Sequence, residues 1–75
     1  MPKTIRTNEY QQVIERLKQA RLDVGLTQKE VSEKIKKPQS YISKVETGEQ
    51  RVDIIELKLF ANLYKKKLDY FLWKQ

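Results

Sequence analysis

Residues 25–48 read G-L-T-Q-K-E-V-S-E-K-I-K-K-P-Q-S-Y-I-S-K-V-E-T-G, and the punctuation of this stretch decides the fold. Gly25 and Gly48, the two glycines of the chain, bracket it. Each follows a run of helical period, where glycine's tolerance of the left-handed conformation suits a helix end. Thr27 and Glu30 make a T-x-x-E capping box, and Leu26 and Val31 are spaced for a hydrophobic staple, so a helix starts at Thr27. Val31 and Ile35 form its inner face and it ends near Ile35. Lys36-Lys37-Pro38 interrupts it, because proline disfavours the α conformation at Lys37 and is welcome in the first turn of a new helix. That next helix covers about 39–47, with Ile42 and Val45 inward and Gln39, Ser40, Ser43 and Lys44 outward. Ser32 falls where the two short helices approach closely and a small side chain is needed.

Working outward, an amphipathic helix is expected from Asn8 to Val24, with Asn8 as N-cap and Gln11 as its capping-box partner. Tyr10, Val13, Leu17, Ala20 and Val24 lie on one face, with Ile14 beside them. Residues 1–7 read as a flexible basic arm ahead of a domain spanning 8–75. Beyond Gly48, a loop at 49–52 leads to a fourth helix capped by Asp53 with Glu56 as box partner. Ile54, Leu57, Phe60, Ala61 and Leu63 form its expected buried side. A break at about 64–66 precedes a short last helix ending near Trp73. No segment reads as a strand, so the expected fold is all-α with five helices, two of them joined by a very tight turn.

Seventy-five residues suffice for one domain with a modest core. The chain contains no cysteine and no histidine. That excludes disulfides, thiolate nucleophiles, ordinary zinc sites and imidazole acid–base catalysis. No carboxylate pair stands out from a helix-surface pattern. No catalytic residue, metal, cofactor or small-molecule ligand is expected, and the chain does not read as an enzyme. No apolar run approaches a membrane span, and the first residues lack a secretory signal, so a cytoplasmic location is expected. Sixteen Lys and Arg against ten Asp and Glu give a formal charge of +6, which favours a polyanionic partner. From Lys36 to Val45 there are three lysines and no acid, whereas an ordinary solvated helix mixes signs.

Residues 17–72 resemble the phage repressor and Cro family, the XRE-type helix-turn-helix domains. Arg21, Gly25, Thr27-Gln28, Val31-Ser32, Ile35, Ile42-Ser43, Glu46 and Gly48 carry the resemblance. It implies a repressor-like domain with its helix-turn-helix at the second and third helices, and a recognition helix at 39–46 that enters the major groove. Gln39, Ser40 and Lys44 then face bases, with Ser43 nearby. Gln pairs bidentately with adenine, Lys with guanine, and Ser with either kind of base. Gln28 matches the family's phosphate-binding Gln, its bland alternative being a solvated side chain beside a cap. Lys36, Lys37, Thr47, Gly48 and Arg51 complete the expected phosphate set. Tyr41 either hydrogen-bonds a phosphate or shields the turn. Lys3 and Arg6 are either solvated or enter an adjacent groove. The resemblance also implies a structural ion pair, Arg21–Glu46. Two positions depart from it: Lys36 replaces the usual Gly or Asn of the turn, and Tyr64 stands where many relatives have glycine.

The expected partner is double-stranded DNA, and the expected activity is transcriptional regulation by a homodimer on a pseudo-palindromic operator. Leu68, Phe71, Leu72 and Trp73 form the expected dimer seam. Their alternative is to cover the base of the domain itself. Two rival functions share the fold: the antitoxin of a toxin–antitoxin pair, and a protein-interaction module that no longer binds DNA. The basic, polar face of the third helix argues against the latter.

Overall fold

The computed structural model describes residues 8–72. Five helices follow one another: α1 (Asn8–Asp23), α2 (Gln28–Ile35), α3 (Gln39–Thr47), α4 (Ile54–Tyr64) and α5 (Leu68–Leu72), with no strand among the described residues. The expected arm at 1–7 and Trp73 lie outside the described residues.

Local chemistry fixes most helix ends. Thr27 Oγ1 accepts from the Glu30 amide at 3.1 Å while Glu30 Oε1 accepts from the Thr27 amide at 2.8 Å. The same reciprocal pair joins Asp53 and Glu56. Each box satisfies two donors that the first helical turn leaves without partners. Pro38 occupies the N-cap position of α3 without a side-chain bond. Gly48, at φ +87°, closes α3 by donating to the carbonyls of Lys44 and Val45. At the start of α1 the reading needs correction. Asn8, the first described residue, is itself helical and so is not the cap.

The turn between α2 and α3 is made by Lys36 in the left-handed conformation, φ 60° and ψ 44°, with its amide donating to the Ser32 carbonyl. Such a residue costs about 1–2 kcal/mol relative to a right-handed one. Ser32 is buried, and its hydroxyl donates to the Lys29 carbonyl at 2.7 Å, so the small side chain brings no unmet polar group into the seam.

α1 runs through the middle of the domain and packs on α3, α4 and α5, while α2 and α3 pack on each other. Leu17 and Ala20 of α1, Val31 of α2, Ile42 and Val45 of α3, Leu57 and Phe60 of α4, and Phe71 of α5 meet in one core. Two expectations for α4 fail. Ile54 is 59% exposed rather than buried. Tyr64, read as part of a break, is the last residue of α4 and the largest fully buried side chain, stacked on Phe60 at 5.8 Å. The break comes one residue later, at Lys65, which is left-handed at φ 60°. Spacing explains Tyr64, which lies on the same side as 57, 60 and 61 on a helix of 3.6 residues per turn; Ile54 falls at the edge of that side, but it is the first residue of α4 and stands at its exposed end.

Candidate nucleic-acid interface

The outer face of α3 is built by elimination. Ile42 and Val45 are 1% exposed and commit one side of the helix to the core. That leaves Gln39, Ser40 and Lys44 exposed on the opposite side, with Ser43 half-buried at its edge. No acid interrupts this face, because the nearest carboxylate, Glu46, is turned inward.

Glu46 is the hub of the site's foundation. Its carboxylate receives Arg21 Nε at 2.7 Å and Arg21 Nη2 at 3.1 Å, a bidentate pair between α1 and α3. Arg21 Nη1 also donates to the Leu26 carbonyl at 2.9 Å, so the guanidinium holds the α1–α2 connection as well. The two side chains are only 9% and 5% exposed. The Glu46 hydrogen bond, opposed in part by burial, holds the guanidinium even more firmly protonated than a free arginine. A third donor was not foreseen: Gln28 Nε2 reaches Glu46 Oε1 at 3.0 Å. The Gln28 amide is therefore half-buried and fixed by α3 rather than loose in solvent. Its Nε2 group has a second hydrogen to offer, so Gln28 is a donor presented at the α2–α3 junction in a set orientation. Sequence order gives no hint of this contact, since Gln28 and Glu46 are 18 residues apart.

The phosphate set is reshaped by the geometry. Lys36 is exposed at the turn. Lys37 points its ammonium at α4, 3.4 Å from Glu56 Oε2 and 5.1 Å from the centre of the Tyr41 ring. Tyr41 is a correction. Its hydroxyl is buried and meets no hydrogen-bond partner of good geometry. Burial first, and Glu56 second, push its ionisation above the usual tyrosine value. A group so placed shields the turn and is not offered to a phosphate. Gly48 is a second correction. It is buried, and its amide is used up in closing α3, while the Glu49 and Gln50 amides donate to the Lys44 carbonyl at 2.9 and 3.1 Å. These amides have no free hydrogen for a phosphate. Thr47 is exposed, with its hydroxyl donating to the Lys44 carbonyl at 3.2 Å.

Arg51 stands exposed on the loop after α3, and what holds that loop is Tyr10 of α1. The Tyr10 hydroxyl donates to the Gln50 carbonyl at 3.4 Å and accepts from the Val52 amide at 3.1 Å. The Arg51 guanidinium lies 5.5 Å from the centre of the Tyr10 ring. The sequence placed Tyr10 on an apolar face. A tyrosine there carries a polar tip that seeks a partner, which is the signal that points to this second role.

Of the proposed dimer residues, Phe71 is 1% exposed and belongs to the core of its own chain. It therefore cannot serve as seam surface. Leu68 is half-buried against the same core and Leu72 is 54% exposed. Tyr70 is also turned inward. Its carbonyl accepts from Arg16 Nη1 at 2.6 Å, and Lys66 Nζ lies 4.7 Å from the centre of its ring. Among the described residues no helix is long and apolar enough to cross a membrane, and no cluster of acidic side chains is arranged to hold a metal.

Compared with known proteins, the chain matches the profile of the family described as Helix-turn-helix over residues 17–71. No curated protein matches it.

Proposed function

Since the chain belongs to the XRE-type helix-turn-helix family of DNA-binding proteins, we propose that it is a sequence-specific transcriptional regulator that reads an operator as a homodimer. The observation that carries this reading is the acid-free outer face of α3, where Gln39, Ser40 and Lys44 are exposed together on a helix whose other side is locked into the core. A major groove admits one such helix, and these side-chain types are the ones that read base edges. Arg21, Glu46 and Gln28 support the reading by fixing the angle between α2 and α3. Gln28, Lys36, Thr47 and Arg51 are the backbone-contacting set on this reading, and they position the domain without choosing a sequence. The reading carries a cytoplasmic location with it.

The test starts from duplexes selected out of a random pool. Gln39→Ala and Lys44→Ala should each weaken binding to the selected site by about 1–3 kcal/mol and relax preference at one base pair. Arg51→Ala should weaken binding to all duplexes alike and reduce the salt slope by about one unit. If both α3 variants bind the selected site like the parent, the reading face is not on α3.

A further inference from the structure

Arg51 lies between α3 and α4, outside any helix, yet the peptide groups around it are held. The Gln50 carbonyl accepts from the Tyr10 hydroxyl at 3.4 Å, and the same hydroxyl accepts from the Val52 amide at 3.1 Å. The Arg51 carbonyl accepts from Gln50 Nε2 at 3.2 Å. The two Tyr10 bonds therefore flank Arg51 on either side in the chain. The Val52 bond is the stronger, since 3.4 Å is long for a hydroxyl donor. The Arg51 guanidinium lies 5.5 Å from the centre of the Tyr10 ring, within the range of a cation–π contact. One side chain of α1 thus restrains both the backbone and the charged tip of Arg51. Tyr10 is half-buried and stands outside the core that Leu17, Ile42 and Phe60 share. A phenylalanine ring would cover the same surface, but only a hydroxyl joins the two peptide groups.

Resting on the reading of Arg51 as a DNA-backbone contact, we infer that Tyr10 is the positioning residue for that contact, holding the loop and its guanidinium in the binding geometry before DNA arrives. An arginine on an irregular loop has many conformations, and fixing one of them at the moment of binding subtracts from affinity. Here the loop is ordered when the domain folds, so the arginine meets a phosphate already restrained. The other end of the loop is held too, because Val52 packs on the core and Asp53 belongs to the α4 capping box. Tyr10 acts through Arg51 and reads no base. The contact it serves is the same on every duplex, so Tyr10 sets affinity and leaves base preference unchanged. α1 then supports the interface from both ends. Near its C-terminus Arg21 orients Gln28 through Glu46, and in its first turn Tyr10 orients Arg51.

A double-mutant cycle tests this, because it separates action through Arg51 from action on the fold. The parent, Tyr10→Phe, Arg51→Ala and the double variant are titrated with the selected duplex and with an unrelated one. Tyr10→Phe should weaken binding about three- to tenfold, and equally on both duplexes. In the Arg51→Ala background the same change should cost less than about twofold. Amide hydrogen exchange at Val52 should speed up in Tyr10→Phe, while exchange in α3 stays as in the parent. Equal losses with and without Arg51 overturn the inference, since Tyr10 then acts on the fold or by itself. Parent-like affinity in Tyr10→Phe, beside a weakened Arg51→Ala, overturns it while leaving the Arg51 contact standing. Parent-like affinity and salt slope in Arg51→Ala remove the contact itself, and the inference with it. A loss confined to the selected duplex makes Tyr10 part of base reading and overturns the positioning role.

Discussion

Lys36 and Lys65 end their helices in the same way, left-handed at φ 60°, where a side chain beyond glycine is strained. At Lys36 the exposed ammonium sits beside the reading face, so strain and charge are mixed. Lys65 stands apart from that face, and its conformation can be examined alone. Glycine there relieves about 1–2 kcal/mol of left-handed strain and gives back about 0.5–1 kcal/mol in backbone entropy. Lys65→Gly is therefore expected to stabilise the domain by a fraction of 1 kcal/mol to about 1 kcal/mol, raising Tm by a few degrees, at most ~8 °C for a domain of this size. DNA affinity should not change. A melting point equal to or below the parent's would show that the Lys65 side chain contributes more than its conformation costs.

At the level of elements, three helices converge on one carboxylate: Arg21 from α1 and Gln28 from α2 both donate to Glu46 of α3. Removing the carboxylate strands a guanidinium that is nearly out of water. Breaking one side of such a pair typically costs about 3–5 kcal/mol, whereas replacing both partners with apolar groups is often close to neutral. A small domain has only about 5 kcal/mol or a little more to lose. Glu46→Ala should therefore leave much of the population unfolded in urea titrations at low denaturant. Arg21→Met with Glu46→Leu should restore most of the stability while leaving Gln28 unanchored, so DNA affinity stays low in a folded protein. Recovery of full affinity in the double variant would remove Gln28 and its anchor from the interface.

For the whole molecule, size and charge set the terms of binding. The domain measures 30 × 27 × 20 Å, and recognition helices in successive major grooves of one face lie about 34 Å apart. On the homodimer reading, two copies at that spacing have to touch along one flank, with little reach to spare. We expect half-sites one helical turn apart. Inserting about 5 bp, half a turn, should abolish cooperative binding by moving the half-sites to opposite faces. Inserting a full turn should not restore it, because the added ~34 Å exceeds the longest dimension of the domain. Cooperativity that survives a full-turn insertion, in quantitative footprinting, would mean that the copies are joined by something other than their folded domains.

The sequence by itself determined what is local. Capping boxes act over three residues, helix faces over three and four, and a proline or glycine over its immediate neighbours, so the order, type and approximate limits of all five helices could be read from them. The resemblance at Arg21, Gly25, Gln28, Glu46 and Gly48 added the family and the outward face of α3. What only the tertiary structure decided is where side chains far apart in sequence meet. Gln28 turns to Glu46, and Tyr10 clasps a loop about 40 residues away. Tyr41 and Gly48 are spent inside the molecule. Tyr64 and Phe71 fill the core, and the outer face of α4 is left uncovered. Periodicity fixes which side of a helix is apolar, but one buried face looks like another until packing pairs them. A helix apolar on both sides, such as α4, carries no local mark of which side its own domain will take.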